Sequence, residues 1–358
     1  MLRQALSTLV VGAILASLGA CGTGGNTTGK RLVGISMPQG SSDRWRVDGR
    51  SMVEEFEAMG YASDLQYADD NIARQIAQID NMISGNAEIL IIASIDGTKL
   101  ADVLAKAAAK KIPVIAYDRL IRDSPDVDCY ATFDNYMVGV LQASFIEAGL
   151  GLSSGQGPFT IELFAGSPDD NNAYVFFDGA MAILQPYIDA HRLVVRSGLT
   201  DIDQITTMRW DGDIAEARMA SLLATSYRNV RLDAVLAPYD GISRGVISAL
   251  RFAGYGSPGQ PLPIVTGQDA ELASVKSIIA GVQSQTVFKD TRLLAKAAAQ
   301  MSLSVMRGQQ PTINDLKSYD NGKKVVPSYL LDPVSVDKTN YRSVLIDSGY
   351  YTETQLTT

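Results

Sequence analysis

Apolar runs of strand length that stop abruptly at charged or amide side chains recur along this chain. Residues 112–121 read Ile-Pro-Val-Ile-Ala-Tyr-Asp-Arg-Leu-Ile, and the apolar stretch breaks at Asp118 and Arg119. Residues 88–93 run into Ser94-Ile95-Asp96-Gly97, and residues 159–164 into a loop carrying Asp169-Asp170-Asn171-Asn172. Residues 232–237 run into Pro238-Tyr239-Asp240-Gly241, and residues 263–266 into Gly267-Gln268-Asp269. Short continuous apolar runs are the mark of strands buried on both faces. In an open parallel sheet, ligands gather beyond the carboxyl ends of such strands. The pattern therefore constrains both the fold and the place of function.

Helical periodicity fills the gaps between these runs. Ile72, Ile76, Ile79 and Ile83 share one face of a helix, as do Leu100, Val103, Leu104 and Ala107. A helix over 45–59 offers Val47, Met52, Val53 and Phe56 as inward positions. Strand and helix alternate with short loops as far as Phe133, and a second round starts at Asp134. This rhythm predicts an α/β protein of two doubly wound parallel-sheet lobes. Beyond Ala270 the chain offers a helix, a strand near 285–288, a helix over 291–306 and a last strand-like run at 324–331. These are too few for a third domain and are expected to complete the two sheets. The expected division is 31–132 plus 270–308 for the N-terminal lobe and 133–269 plus 309–358 for the C-terminal lobe. The chain then crosses between lobes three times, which makes a hinge.

The length of 358 residues with 46% hydrophobic content supports two cores. A formal charge of −8 argues against general binding to nucleic acid. A single histidine, His191, argues against a histidine-rich metal site or a histidine-based triad. At the start, Arg3 precedes a mostly apolar segment, 6–17, too short to span a bilayer. Leu18-Gly19-Ala20-Cys21 follows and resembles the lipobox of bacterial lipoproteins. Residues 1–20 are expected to be a signal peptide, Cys21 to carry lipid, and 21–30 to form a flexible tether. An ordinary secretory signal with a coincidental cysteine is the alternative. Cys129 is then without a partner and reads as a small buried residue.

A sugar presents vicinal hydroxyls and a flat C–H face. Binding one calls for carboxylates and amides that bridge hydroxyls, charged donors such as arginine, and an aromatic ring. The first round of strand ends offers Arg44, Trp45, Asp96, Asp118 and Arg119, and the second offers Asp170, Asn171, Asn172, Trp210, Tyr239, Asp240 and Asp269. Each has a plainer reading. Asp118 and Arg119 can be a strand cap and a surface ion pair, Trp45 a core residue, and Asp240-Gly241 a turn. One of the four residues 169–172 can simply cap the next helix. The coincidence of several such strand ends on one edge favours a shared ligand.

Longer segments carry a resemblance. They include Asp64-Leu-Gln-Tyr-Ala-Asp-Asp70, Ile92-Ala-Ser-Ile-Asp-Gly-Thr98, Val114-Ile-Ala-Tyr-Asp-Arg-Leu-Ile-Arg122 and Gly166-Ser-Pro-Asp-Asp-Asn-Asn-Ala173. Gly267-Gln-Asp-Ala-Glu271, Phe288-Lys-Asp290 and Val326-Pro-Ser-Tyr-Leu-Leu331 extend it. From about Leu32 to Leu356 the chain resembles the sugar-binding proteins of bacterial ABC importers with the type I periplasmic-binding fold. It is most similar to their multiple-monosaccharide-binding branch, with xylose-binding proteins as near relatives. The resemblance implies sugar contacts at Arg44, Trp45, Asp118, Arg119, Asp170, Asn172, Trp210, Asp240, Asp269 and Lys289. Xylose-binding relatives have an amide at the place of Tyr239, which leaves the contacts around Tyr239-Asp240 open. The resemblance also implies a membrane permease and an ATPase as partners, and allows a chemoreceptor or sensor kinase. It implies no catalytic residue, metal or cofactor. A glycosidase using two of the carboxylates would share these residue types. A sugar-responsive repressor would need a helix-turn-helix where this chain has an export signal.

Overall fold

The computed structural model describes residues 31–357. The expected signal segment, the lipid-bearing Cys21 and the tether lie outside the described residues.

The first round is β1 (Leu32–Met37), α1 (Asp43–Ala58), β2 (Ala62–Tyr67), α2 (Ile72–Ser84), β3 (Ile89–Ile92), α3 (Ala101–Ala109), β4 (Val114–Tyr117) and β5 (Cys129–Phe133). The second is α4 (Asn135–Leu150), β6 (Phe159–Leu163), α5 (Asn171–Asp189), β7 (Leu193–Val195), α6 (Ile202–Ile205), α7 (Gly212–Ala224), β8 (Ala234–Leu236), α8 (Asp240–Phe252) and β9 (Ile264–Val265). The remainder is α9 (Leu272–Ile279), β10 (Gln285–Phe288), α10 (Thr291–Met306), β11 (Ser328–Leu331), β12 (Val334–Asp337) and α11 (Glu353–Thr357).

A six-stranded sheet has the order β11-β5-β4-β3-β1-β2, and a four-stranded sheet the order β7-β6-β8-β9. All pairs within both are parallel. The apolar runs are explained by the two-residue period of a strand. Ile89 and Ile91 of β3 pack with α1 and α10 on one face, while Leu90 and Ile92 pack with α2 and α3 on the other. Both faces of the sheet are covered, so no polar position interrupts the strand.

The three crossings stand, but two of the expected boundaries are corrected. β11 pairs with β5, Ser328 opposite Tyr130, so residues 309–331 complete the first lobe and not the second. β10 pairs antiparallel with β12 and bridges Gln268 through Val287, and α9 packs with them, so residues 270–288 belong to the second lobe. The crossings therefore fall at Asp134, at Lys289-Asp290 and at Asp332-Pro333. The sequence pattern marks these strands but not their partners, because pairing joins residues about 200 positions apart, such as Tyr130 and Ser328.

Three helices that follow cleft-edge strands start on an aspartate cap: Asp134 for α4, Asp170 for α5 and Asp290 for α10. Each carboxylate takes up a backbone N–H that the first turn leaves unpaired. The caps fix where the polar strand ends sit.

Candidate functional site

Between the two lobes lies a cavity of about 580 Å³, within the usual range for small-molecule pockets. Nine of the ten expected contacts line it: Arg44, Trp45, Asp118, Arg119, Asp170, Asn172, Trp210, Asp269 and Lys289. The tenth, Asp240, does not. It is fully buried inside the second lobe, where its oxygens accept from the Gln283 side chain and the Glu271 backbone N–H, each at 2.8 Å. Its neighbour Tyr239 faces the cavity instead. Asp96 is also away from it, spent on an Asx turn to the Thr98 N–H.

The guanidinium of Arg44, in the first turn of α1, is the centre of the charged constellation. Its Nε donates to Asp48 at 3.2 Å, one Nη to Asp269 at 3.0 Å and the other to Asp118. Lys289, 1% exposed on the second crossing, reaches Asp269 at 3.1 Å and Asp118 at 3.6 Å. Asp118 follows β4 of the first sheet and Asp269 lies beyond β9 of the second, so two cations and two carboxylates join the lobes. Burial opposes the charge on Asp118, but Arg44 and then Lys289 outweigh it and hold the carboxyl down at about 2. Asp118 is therefore a permanent acceptor, suited to a hydroxyl and unsuited to giving up a proton. Burial raises Asp170, against the pull of Arg119 at 3.0 Å.

A second inter-lobe join uses neutral groups. The backbone carbonyl of Asp118 accepts from Tyr130 Oη at 2.5 Å, Thr132 Oγ1 at 3.1 Å and Asn172 Nδ2 at 2.8 Å. Asn172 belongs to the second lobe, and its Oδ1 accepts from Asn135 at 2.9 Å. Asp118 has φ 57° and Asp269 φ 88°, in the left-handed region that Asp tolerates better than most residues. This turn swings each carboxylate off the end of its strand.

Aromatic rings form the apolar walls. Trp45 is 5% exposed, with the guanidinium carbons of Arg44 and Arg119 at 4.9 and 5.3 Å from its ring. Trp210 meets Phe176 and Tyr239 edge-on at 6.1 and 6.2 Å. Arg209 and Trp210 both have positive φ, which costs energy for bulky residues and marks a built feature. Trp210 also lies flat against Gly166, where a Cβ would stand 1.9 Å from the ring. Trp210 Nε1 and Gln268 Oε1 are buried without a partner among the described residues. A donor and an acceptor left open in residues that line one cavity suit a polar ligand.

Several lining residues were beyond the sequence reading. Phe176 comes from the inner face of α5, where a Phe-Phe pair in a helix reads as core. Glu271 and Arg244 pair across the cavity wall, and Glu271 accepts from Tyr239 Oη at 2.6 Å. Asp269-Ala-Glu271 places Glu271 two residues past a recognised strand end, the one local signal that pointed to it. Arg209 pairs with Asp169 at 2.6 Å and sits beside Trp210. The arrangement as a whole offers fixed carboxylates, amides, guanidinium groups and ring faces to a neutral polyhydroxylated molecule.

Comparison with known proteins agrees with this chemistry. The model of the "Periplasmic binding protein domain" family matches residues 33–310. The chain is 59% identical to the multiple sugar-binding periplasmic protein SbpA of Azospirillum brasilense, covering 93% of this chain and 94% of that protein. It is 58% identical to the multiple sugar-binding periplasmic receptor ChvE of Rhizobium radiobacter, covering 91% and 92%. Among solved structures, an ABC transporter solute-binding protein from Clostridium phytofermentans with bound β-D-glucose superposes with a TM-score of 0.87. Its identity is 48%, over 91% of this chain and 99% of that one.

Proposed function

The chain belongs to the periplasmic binding protein domain family, and from that membership we propose that it is an extracytoplasmic receptor for monosaccharides. The ligands are aldoses such as glucose, galactose, xylose and arabinose, held between the lobes by Arg44, Trp45, Asp118, Arg119, Asp170, Asn172, Trp210, Asp269 and Lys289. The observation that carries this reading is the join of Arg44 and Lys289 to one carboxylate from each lobe. A sugar that bonds Asp118 and Asp269 together is bound best when the lobes are closed. Ligand energy is thereby coupled to the hinge. The sugar-binding relatives and the glucose in the solved neighbour support the same ligand class.

The closed receptor delivers its sugar to an ABC permease driven by its ATPase, and a chemoreceptor or sensor kinase is a further listener. Lipid on Cys21 tethers it to the membrane, with the lobes facing the periplasm or cell exterior. A Cys21→Ser variant is expected to leave the membrane fraction.

Calorimetry against a panel of pentoses and hexoses tests the proposal. Asp118→Ala and Asp269→Ala should each lose most of the affinity, at roughly 1–3 kcal/mol per lost partner and more where the partner is charged. Wild-type affinity in both would refute the site. The receptor should also return a disaccharide or aryl glycoside uncut; turnover abolished by Asp118→Ala would favour a glycosidase instead.

A further inference from the structure

One carboxylate in the Arg44 constellation does not reach the cavity. Asp48 lies one helical turn beyond Arg44 on α1 and is fully buried. One of its oxygens takes the Arg44 Nε–H at 3.2 Å, and the other accepts from the hydroxyl of Tyr117, itself fully buried at the end of β4. Its neighbours Met52 and Phe56 are core residues. A buried carboxylate is costly there, and an apolar side chain would serve packing as well or better. Tyr117 is the last residue of the strand whose next residue is Asp118, so Asp48 ties α1 to the strand end that carries a cavity carboxylate.

We infer that Asp48 is a positioning residue for sugar binding: with Tyr117 behind it, it locks the Arg44 guanidinium in the orientation the ligand needs, and its protonation unlocks it. Arginine has a long, rotamer-rich side chain, and its planar fork is useful only when aimed. Asp118 and Asp269 hold the Nη atoms but must also face the ligand. Asp48 holds Nε and faces nothing else in the cavity. It is the one carboxylate of the three whose whole capacity goes to orientation.

The groups that act on Asp48 come from every side. Arg44 is on its own helix, Tyr117 and Asp118 are at the end of β4, Tyr67 is on β2, and Tyr350 is in the C-terminal segment. Burial raises the Asp48 carboxyl to about 6, with Arg44 and the Tyr117 hydrogen bond pulling the other way. The anion that holds Arg44 is therefore full at pH 7.5 and lost as pH falls through about 6. Asp118 stays ionised across that range.

This inference rests on the sugar-receptor reading, and the experiment separates the two. Affinity for the tightest sugar of the panel is measured by calorimetry from pH 7.5 to pH 5 for the wild type, Asp48→Asn and Tyr117→Phe. Wild-type affinity should fall on the acid side. Asp48→Asn should bind about tenfold or more weakly at pH 7.5 and lose the part of the acid fall that Asp48 supplies, because the group that holds Arg44 no longer titrates. Tyr117→Phe keeps the volume and removes the donor that favours the anion, so its acid fall should start at higher pH. A purely structural role would weaken binding without changing the profile. Wild-type binding in Asp48→Asn, or a weakened variant with the acid fall intact, would overturn the inference. So would a Tyr117→Phe profile that does not move. If the wild type binds no sugar at any pH, the receptor reading fails and this one with it.

Discussion

Gly166→Ala is a one-methyl change that should act on the ligand through Trp210 alone. A Cβ at residue 166 would lie 1.9, 2.3 and 2.3 Å from three carbons of the indole ring. Ordinary contact begins near 3.4 Å, so the ring has to retreat by about 1.5 Å. It has little room, because Phe176 and Tyr239 stand edge-on at 6.1 and 6.2 Å and its own backbone is already at φ 59°. Overpacking of this kind costs about 1–3 kcal/mol. The ring can escape that cost by leaving the wall, and the sugar then loses its platform. Affinity should fall about 10–100-fold, at ~1.4 kcal/mol per tenfold. The sugar-induced change in tryptophan fluorescence should shrink to the part that Trp45 supplies. Calorimetry measures the first, fluorescence titration the second, and thermal unfolding checks that the fold persists. In a Trp210→Leu background the glycine change should add almost nothing, because the pair acts as a unit. A Gly166→Ala protein with wild-type affinity, or equal losses with and without Trp210, would show that the ring is not a ligand platform.

Other expectations follow from the same geometry. Asn172→Ala removes a 2.8 Å bond from the second lobe to the Asp118 carbonyl, so sugar should leave faster in stopped-flow measurements, by about 1 kcal/mol or more, with little change in on-rate; an unchanged off-rate would remove Asn172 from the closure. Gly139→Ala puts a Cβ 1.9 Å from the Phe176 carbonyl oxygen, where α4 and α5 meet backbone to backbone, and urea unfolding should register a loss of about 3 kcal/mol. Burial, helped by nearby Glu271, raises Asp240 to about 8, so its contribution to stability is full below the ordinary carboxylate pKa and is lost as pH rises through about 8. Asp240→Asn should flatten that decline, which runs from the ordinary carboxylate range up to about pH 8, in thermal scans; an unaltered slope would assign the decline to other groups.

Most strand and helix positions were legible because the sheets are covered on both faces, which favours apolar strands such as Ile89–Ile92, while the half-buried β2 carries a weaker pattern. The site was legible for the same reason. A carboxylate such as Asp118 directly after four buried residues has nowhere to go but the sheet edge. The errors share a different cause. Whether Asp240 or Tyr239 faces the cavity depends on one residue of rotation at the start of α8, and both lie in the same polar strand end. The β11 and β10 assignments depended on partners far away in sequence. Lys289 looks like an ordinary lysine after a strand, and only the family resemblance pointed to it. Asp48 was invisible because a lone aspartate at the fourth place after an arginine on a helix reads as a surface ion pair. Burial turns that same spacing into a clamp.

The three crossings are chemically unequal. Asp134 caps a helix, Asp332-Pro333 lines no part of the cavity, and Lys289 lies buried between two carboxylates of the site. At that one crossing a residue that links the lobes also lines the cavity. If Lys289 contacts the sugar as proposed, a change there is expected to alter ligand choice and lobe closure together, so the two traits would not drift apart through this position. A reporter dye or an inserted spacer meant to read the motion while sparing the chemistry belongs at 332–333.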